Sequence, residues 1–483
     1  MSPAVQNPPV SPASRFLVSL LTTVALLSPA ALTVASGADG AEVDAAYRDA
    51  AAYLEGRGCV VGGAYFPEWA VWEETNRDPD IDNATAVRIE PHDRVTDDDL
   101  LKLRALRPVF DLYIDHPAIR ADGFKILEEL NELRQVSVRY EQTYATTVTG
   151  GDIAGRVPMD WGDRTIALLA GSKRLVSLEY TGPLTGETLG RFSEHEHLKT
   201  LVLRGAYLTE EGVRQIGSLT GLESLSLIDC DVTDEELKGL SGLTNLKYVT
   251  LAENPMTGRG LVALAASPRL EWLDLTRCFL HDDAVDALAD LRALKFLDLS
   301  DNQIGDGALK RLAAGQPRRL TKLLLLGTDL TDEGVKSLAS LPNLERAWLD
   351  QTRLTGRGLA NLRRAKSLRV LTLCYAGLSD DDVDGLTQLE QVEFLHLFGN
   401  QITDAAVPDL ARMTQLRLLL IGQTAISERG RERLRAALPD CRLQLNSLSS
   451  SGYPARRTLL KNDVHPAPLP HDPIASKEAA ERP

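Results

Sequence analysis

The chain has 483 residues, with 53 Lys and Arg against 68 Asp and Glu, and a formal charge of −15. A single hydrophobic core stops growing at roughly 250–300 residues, so several domains or a repeat architecture is required. Hydrophobic content of 43% excludes a wholly disordered chain, and the acidic balance argues against a nucleic-acid surface, which needs a basic face.

Residues 1–14 are polar and Pro-rich; Arg15 then precedes an apolar run over 16–27, followed by Pro29 and small residues to Ala38. One positive charge, an apolar run and a small-residue exit predict a secretory signal peptide over 1–38, cleaved after Ala35 or Ala38. The alternative is an uncleaved membrane anchor through residues 16–35, since about 20 apolar residues span a bilayer. Pro29 and the exit favour cleavage, and the lack of a Cys there excludes a lipoprotein. Residues 39–83 read as an N-terminal cap. Val43, Tyr47, Ala50 and Leu54 make 41–55 an amphipathic helix that stops at Gly56 and Gly58. A strand or hairpin follows within 60–72, with Phe66, Trp69 and Trp72 as cover.

Over 84–445 one pattern recurs. Leu222, Leu225, Leu227, Cys230 and Val232 return 24 residues later as Leu246, Val249, Leu251, Asn254 and Met256. The fourth apolar column reads Val87, Leu112, Val136, Leu178, Leu201, Leu225, Val249, Leu273, Leu297, Leu323, Ala347, Leu371, Leu395 and Leu419, which makes fourteen units. Leu294 to Leu320 is two residues longer than the period, and Leu133 to Leu175 holds an insertion at 141–158. That insertion is either a solvated loop or a ligand-contacting flap. Residues 446–483, with three successive serines and many prolines, read as a disordered tail.

The consensus L-x-x-L-x-L-x-x-[NCT]-x-[LIV]-[TS]-[DE]-x-G-[LV] resembles the leucine-rich repeat family, in the 24-residue variety of exported bacterial proteins. Its T-D-x-G-L segment is similar to the repeats of ribonuclease inhibitor and F-box proteins. The resemblance implies an α/β fold: a right-handed horseshoe solenoid with parallel strands on its concave face and short helices on its convex face. The residues agree. Columns four and six alternate with polar positions, as in a strand with one buried face, and Leu237, Leu240 and Leu243 then form a helical stripe. Thr209, Thr233, Thr257, Thr331, Thr355, Ser379, Thr403 and Ser427 are the expected helix N-caps, with acids such as Asp234, Asp332, Asp380 and Asp404 meeting the helix dipole. Column nine (Cys230, Asn254, Cys278, Asn302, Thr328, Thr352, Asn400 and Thr424) is expected to be a structural hydrogen-bond ladder for the buried turn. Two of the five cysteines belong to it, Cys374 falls at an exposed or half-exposed position, and the sequence leaves the disulfide status of Cys59, Cys374 and Cys441 open.

Columns three, five and seven point away from the coil interior. Tyr248, Trp272 and Phe296 follow one another in column three, beside Asp274 and Asp298 in column five; Trp348, Phe394, His396 and Phe398 lie farther along. A row of exposed rings marks a contact surface; the alternative is that neighbours cover one another and a few sit beneath a loop. No catalytic residue, metal site or cofactor is expected. His195 and His197 sit two apart in a connector, His281 stands at a cap position, and His396 is placed on the exposed strand face without a Ser or Cys partner. The recurring Gly212, Gly260, Gly334 and Gly358 belong to the repeat rather than to a phosphate loop. The leading expectation is a non-enzymatic exported scaffold that binds a protein partner through its concave face, with no nucleic acid. A carbohydrate-binding surface protein is the alternative, and a hydrolase built on His195 and His197 the weaker third.

Overall fold

The computed structural model describes residues 38–63, 85–90, 93–106, 108–115, 119, 123–140, 161–288, 290–315 and 317–445. The signal or anchor segment to residue 37, the aromatic cover at Phe66, Trp69 and Trp72, the insertion 141–158 and the tail from 446 lie outside them. Residues 1–45 and 46–483 are separate compact units, the first described only as helical backbone over 38–45. The helix Ala38–Arg57 ends at Gly58, whose φ of +111° suits a glycine; the Gly58 N–H donates to Glu55 and that of Cys59 to Leu54. Among the described residues, no helix is long and apolar enough to cross a membrane.

Among its described residues, the second unit holds one sheet of sixteen strands, each hydrogen-bonded to its neighbours in sequence. The first seven are β1 (Val60–Gly63), β2 (Thr85–Ile89), β3 (Val109–Asp115), β4 (Gln135–Arg139), β5 (Ser177–Thr181), β6 (Thr200–Arg204) and β7 (Ser224–Ile228). Three-residue strands then follow: β8 (Tyr248–Thr250), β9 (Trp272–Asp274), β10 (Phe296–Asp298), β11 (Lys322–Leu324) and β12 (Arg346–Trp348). The last four are β13 (Val370–Thr372), β14 (Phe394–His396), β15 (Leu418–Leu420) and β16 (Arg442–Gln444). β1 runs antiparallel to β2, and the pairings from β2 to β16 are parallel. The two irregular steps leave the register intact: Gln135 pairs with Ser177 across the insertion, and Phe296 with Lys322 across the longer unit.

Leu227, Leu251, Leu275 and Leu299 form one interior file, all fully buried. Outside it, a continuous backbone chain ties each unit to the last. The Lys247 N–H donates to Glu223, Glu271 to Lys247, and Lys295 to Glu271; the chain resumes through Thr321, Glu345, Arg369, Glu393, Arg417 and Arg442. The side chains alternate in sign from Glu223 to Lys295 and from Glu345 to Arg417, with neutral Thr321 between the two runs and a second cation, Arg442, after them; Lys247–Glu223 lies at 2.8 Å, Lys295–Glu271 at 2.9 Å and Arg417–Glu393 at 2.7 Å. Unlike charges one strand apart favour this register and like charges would oppose a slip.

The return segments are short. Glu210–Gly217, Asp306–Ala314 and Glu428–Ala437 are α-helical, whereas Asp97–Leu106, Gly123–Glu129, Arg259–Ala266 and Asp282–Leu288 are 3-10 helices. A 3-10 helix rises about 2.0 Å per residue against 1.5 Å, so it crosses the coil with fewer residues. Thr209, Thr233, Thr331, Thr403 and Ser427 are N-caps whose side chains accept helix N–H bonds, and Thr233 with Glu236 makes a full capping box. Thr257 departs from the expectation: the N-cap is Gly258, with φ +102°. Thr257 instead gives its N–H and hydroxyl to Asp234, at 2.8 and 2.7 Å.

That contact is general. Asp306 receives Thr331, Asp332 receives Thr355, Asp380 receives Thr403 and Asp404 receives Ser427, in each case through backbone N–H and hydroxyl. The acid at the start of one helix is therefore a tie to the next unit as well as a dipole partner. Burial pushes the Asp234 carboxyl up, but bonds from Gly260, Thr257 and Gly258 outweigh it and hold it below the usual carboxylate range. Close approach explains one recurring glycine: a Cβ at Gly212 would collide with the Thr185 carbonyl oxygen of the preceding unit.

At the turns after β7 to β10, β12, β13 and β15 the backbone enters the left-handed region, at Asp229, Glu253, Arg277, Asp301, Gln351, Tyr375 and Gln423. The turn leaves buried groups that column nine reaches. Asn254 Oδ1 accepts from the N–H groups of Cys230 and Val232, both at 3.0 Å, and its Nδ2 donates to the carbonyls of Leu227, Leu251 and Ala252. Asn302 repeats this on Cys278 and Leu280, and Asn400 on Leu378. Cys230 and Cys278 lend Sγ–H to the carbonyls of Leu203 and Leu251 in the preceding units. Thr328, Thr352 and Thr424 reach only the carbonyl three residues back. All five cysteines are free thiols; Cys374, expected at or near the surface, is buried.

Candidate functional site

The parallel register sets the outward side chains in rows. Tyr248, Trp272, Phe296, Lys322 and Arg346 occupy one row on β8 to β12. The next row holds Thr250, Asp274, Asp298, Leu324 and Trp348, and continues through Thr372 to His396. Strands about 4.8 Å apart bring side chains of one row into contact. Trp272 and Phe296 stack with their planes 6° apart. Tyr375, at a turn and exposed, meets Phe398 edge to face at 5.7 Å, and His396 meets Phe398 at 6.1 Å. Tyr375 was not foreseen, because its turn position lies outside the strand columns.

Exposure is where the sequence expectation fails. Tyr248, Trp272, Asp274, Trp348, Phe394 and Phe398 are half-buried, whereas Phe296 retains 6% exposure, Asp298 4% and His396 1%. Row neighbours crowd one another, so a side chain that leaves the coil interior is not thereby in water. The expected placement of His396 on an exposed face is corrected accordingly; burial pushes its imidazole down to about 4.

The two aspartates face each other across β9 and β10. Asp274 Oδ1 accepts from the Thr276 N–H and hydroxyl at 3.0 and 2.7 Å, and Asp298 Oδ1 from the Ser300 N–H at 2.9 Å. Burial raises both carboxyls above their usual range, and for Asp298 the neighbouring Asp274 adds to it, bringing it to about 7. A raised folded value means that the protonated form stabilises the fold, and that this contribution is lost as the pH climbs from the unfolded carboxylate range through neutrality. Asp298→Asn should therefore gain on the wild type between pH 5 and pH 8 by about 1–3 kcal/mol, read from urea unfolding at the two values. A gap that does not change with pH would mean that the pair is ionised throughout.

Asp350 was not foreseen either: it is buried, accepting from the Thr372 hydroxyl at 2.9 Å and from the Cys374 N–H. Of the connector histidines, His195 is buried against Phe192, with ring centroids 4.7 Å apart, and His197 is exposed. Among the described residues no group of three or more His, Cys, Asp or Glu is placed to hold a metal ion.

A one-sheet stack of 24-residue coils with short helical returns defines a solenoid repeat protein. A family model for the leucine-rich repeat matches residues 242–265 and 291–313, so the chain contains leucine-rich repeats, and the same strand register runs on through the units around them. Among solved structures, an internalin from Listeria monocytogenes is similar at 18% identity with a TM-score of 0.41, over 70% of this chain and 81% of that one. A leucine-rich repeat protein of Leptospira interrogans is similar at 18% with a TM-score of 0.44, over 71% and 92%. A TLR13–ssRNA13 complex shows 20% and 0.45, over 72% of this chain and 45% of that one. Comparison with curated proteins finds no match.

Proposed function

We propose that the chain is a non-enzymatic, exported scaffold that binds a protein partner through the outward face of its sheet. The observation that carries this is the in-register row Tyr248, Trp272 and Phe296 beside Asp274 and Asp298. In that row Tyr248 and Trp272 are half-exposed, with Phe296 and Asp298 buried behind them and Asp274 half-buried alongside; such aromatic rings supply apolar area of the kind enriched at protein interfaces, and Asp274 a polar direction. Trp348, Phe394 and Phe398 extend the surface toward β14. Export rests on the signal-like segment before Ala38 and on the family resemblance; the charge of −15 disfavours nucleic acid.

Affinity capture from the native envelope fraction with the mature chain tests the reading. Tyr248→Ala with Trp272→Ala should weaken capture at least about tenfold while the thermal midpoint stays close to that of the wild type. Phe296 is left alone because it is buried. Undiminished capture by the folded double variant would reject this face. The second reading is carbohydrate binding, favoured by ring stacking next to carboxylates; a glycan array on the mature chain separates it from the first. A hydrolase is the least supported, because His195 is buried against the ring of Phe192.

A further inference from the structure

At the other end of the sheet, β4 to β6 carry a different arrangement. Arg139, Thr181 and Arg204 pair in register and form one row, with Glu179 two residues before Thr181 on the same face. Arg139 donates to Glu179 Oε1 at 2.9 Å and the Ser137 hydroxyl to Oε2 at 3.1 Å. Arg204 is left over: its Nε lies 4.0 Å from Glu179 Oε1, beyond hydrogen-bonding distance, so one carboxylate serves two guanidinium groups.

The Arg204 side chain makes no hydrogen bond among the described residues, although it keeps only 15% of its exposure. Its Nε and the Thr181 hydroxyl are both buried and unpartnered. Its strand neighbours on this face, Val202 and Ile228, are buried apolar side chains, and the negative charge that reaches it besides Glu179 comes from Asp274, which makes no hydrogen bond to it. Burial lowers the affinity of Arg204 for its proton, Glu179 offsets this in part, and Arg139 opposes it again. Removing a guanidinium from water without hydrogen-bonded compensation is unfavourable, and its planar fork is matched best by an oxyanion.

We infer that the row Arg139–Thr181–Arg204 is a binding site for an oxyanion, a carboxylate or a phosphate group carried by a ligand. Arg204 receives it through its unengaged N–H groups, the Thr181 hydroxyl gains a partner, and Arg139 flanks it while holding Glu179. The site is on strands other than those of the aromatic row, and the charge of Asp274 is what links the two.

Titration of the full chain with inorganic phosphate and, separately, with acetate at constant ionic strength tests this, read from the Arg204 Nε–Hε resonance. A saturable shift is expected with at least one of them. Arg204→Gln should weaken binding at least about tenfold, followed through the Arg139 resonance, and Arg204→Lys should also weaken it, since it keeps the charge but not the fork. Arg435→Gln, at the opposite end of the sheet and bonded to Glu428, should change nothing. Saturation by phosphate alone assigns a phosphorylated ligand, and by acetate alone a carboxylate. No saturable shift in the wild type, or equal binding by wild type and Arg204→Gln, overturns the site. Should Arg204→Gln fail to fold, the wild-type Arg204 resonance together with Thr181→Val, expected to bind severalfold more weakly, decides the matter.

Discussion

Replacing Asn254 by alanine should lower the unfolding free energy by about 4 kcal/mol or more. Its side chain accepts from two buried N–H groups and donates to three carbonyls, joining its own turn to that of the preceding unit. Each buried group left without a partner costs roughly 1–3 kcal/mol, and the site, fully buried, offers no water as a substitute. Thr352→Ala at the same position of another unit removes one bond, to Leu349, and should cost only about 1 kcal/mol. Urea unfolding of the two variants side by side measures the difference. Equal losses would show that the ladder contributes through packing rather than hydrogen bonding.

Leu299→Ala should cost about 2–5 kcal/mol, since it opens a cavity in the interior file between Leu275 and Leu325. Leu326, one position on and pointing out of the coil, is only half-buried, and its change to alanine should cost no more than about 1 kcal/mol. Thermal melts of this pair test the inside–outside assignment in two neighbouring units. Similar losses would mean that the outward face is packed like a core.

The fold was legible because its signal is redundant. An alternation repeated from Val87 to Leu419 reports the buried face of each strand many times over, and Gly56 and Gly58 mark the end of the first helix. Contacts between units were harder to read. Asp234 looks like a helix-dipole acid when its own unit is considered alone; only the stacking geometry brings Thr257 onto it. The alternating row Glu223, Lys247, Glu271 and Lys295 was visible in the sequence at the 24-residue step, but the eye follows leucines. Of the candidate site, the sequence placed Tyr248, Trp272 and Phe296 in one row and Asp274 and Asp298 in the next, while the depth of Phe296, Asp298 and His396 escaped it. Burial of outward side chains depends on the size of neighbours one strand away, which periodicity does not weigh. Arg139 and Arg204 escaped for a related reason: a guanidinium short of partners is a property of distances.

The most direct test of the stacked-coil account is amide hydrogen exchange at the N–H groups that link each unit to the one before it. Those of Glu223, Lys247, Glu271, Lys295, Thr321, Glu345, Arg369, Glu393 and Arg417 should be strongly protected and recur with the repeat, each being bonded to the preceding unit. Protection confined to a few separate blocks, with the amides between them exchanging as in an open chain, would contradict a continuous stack.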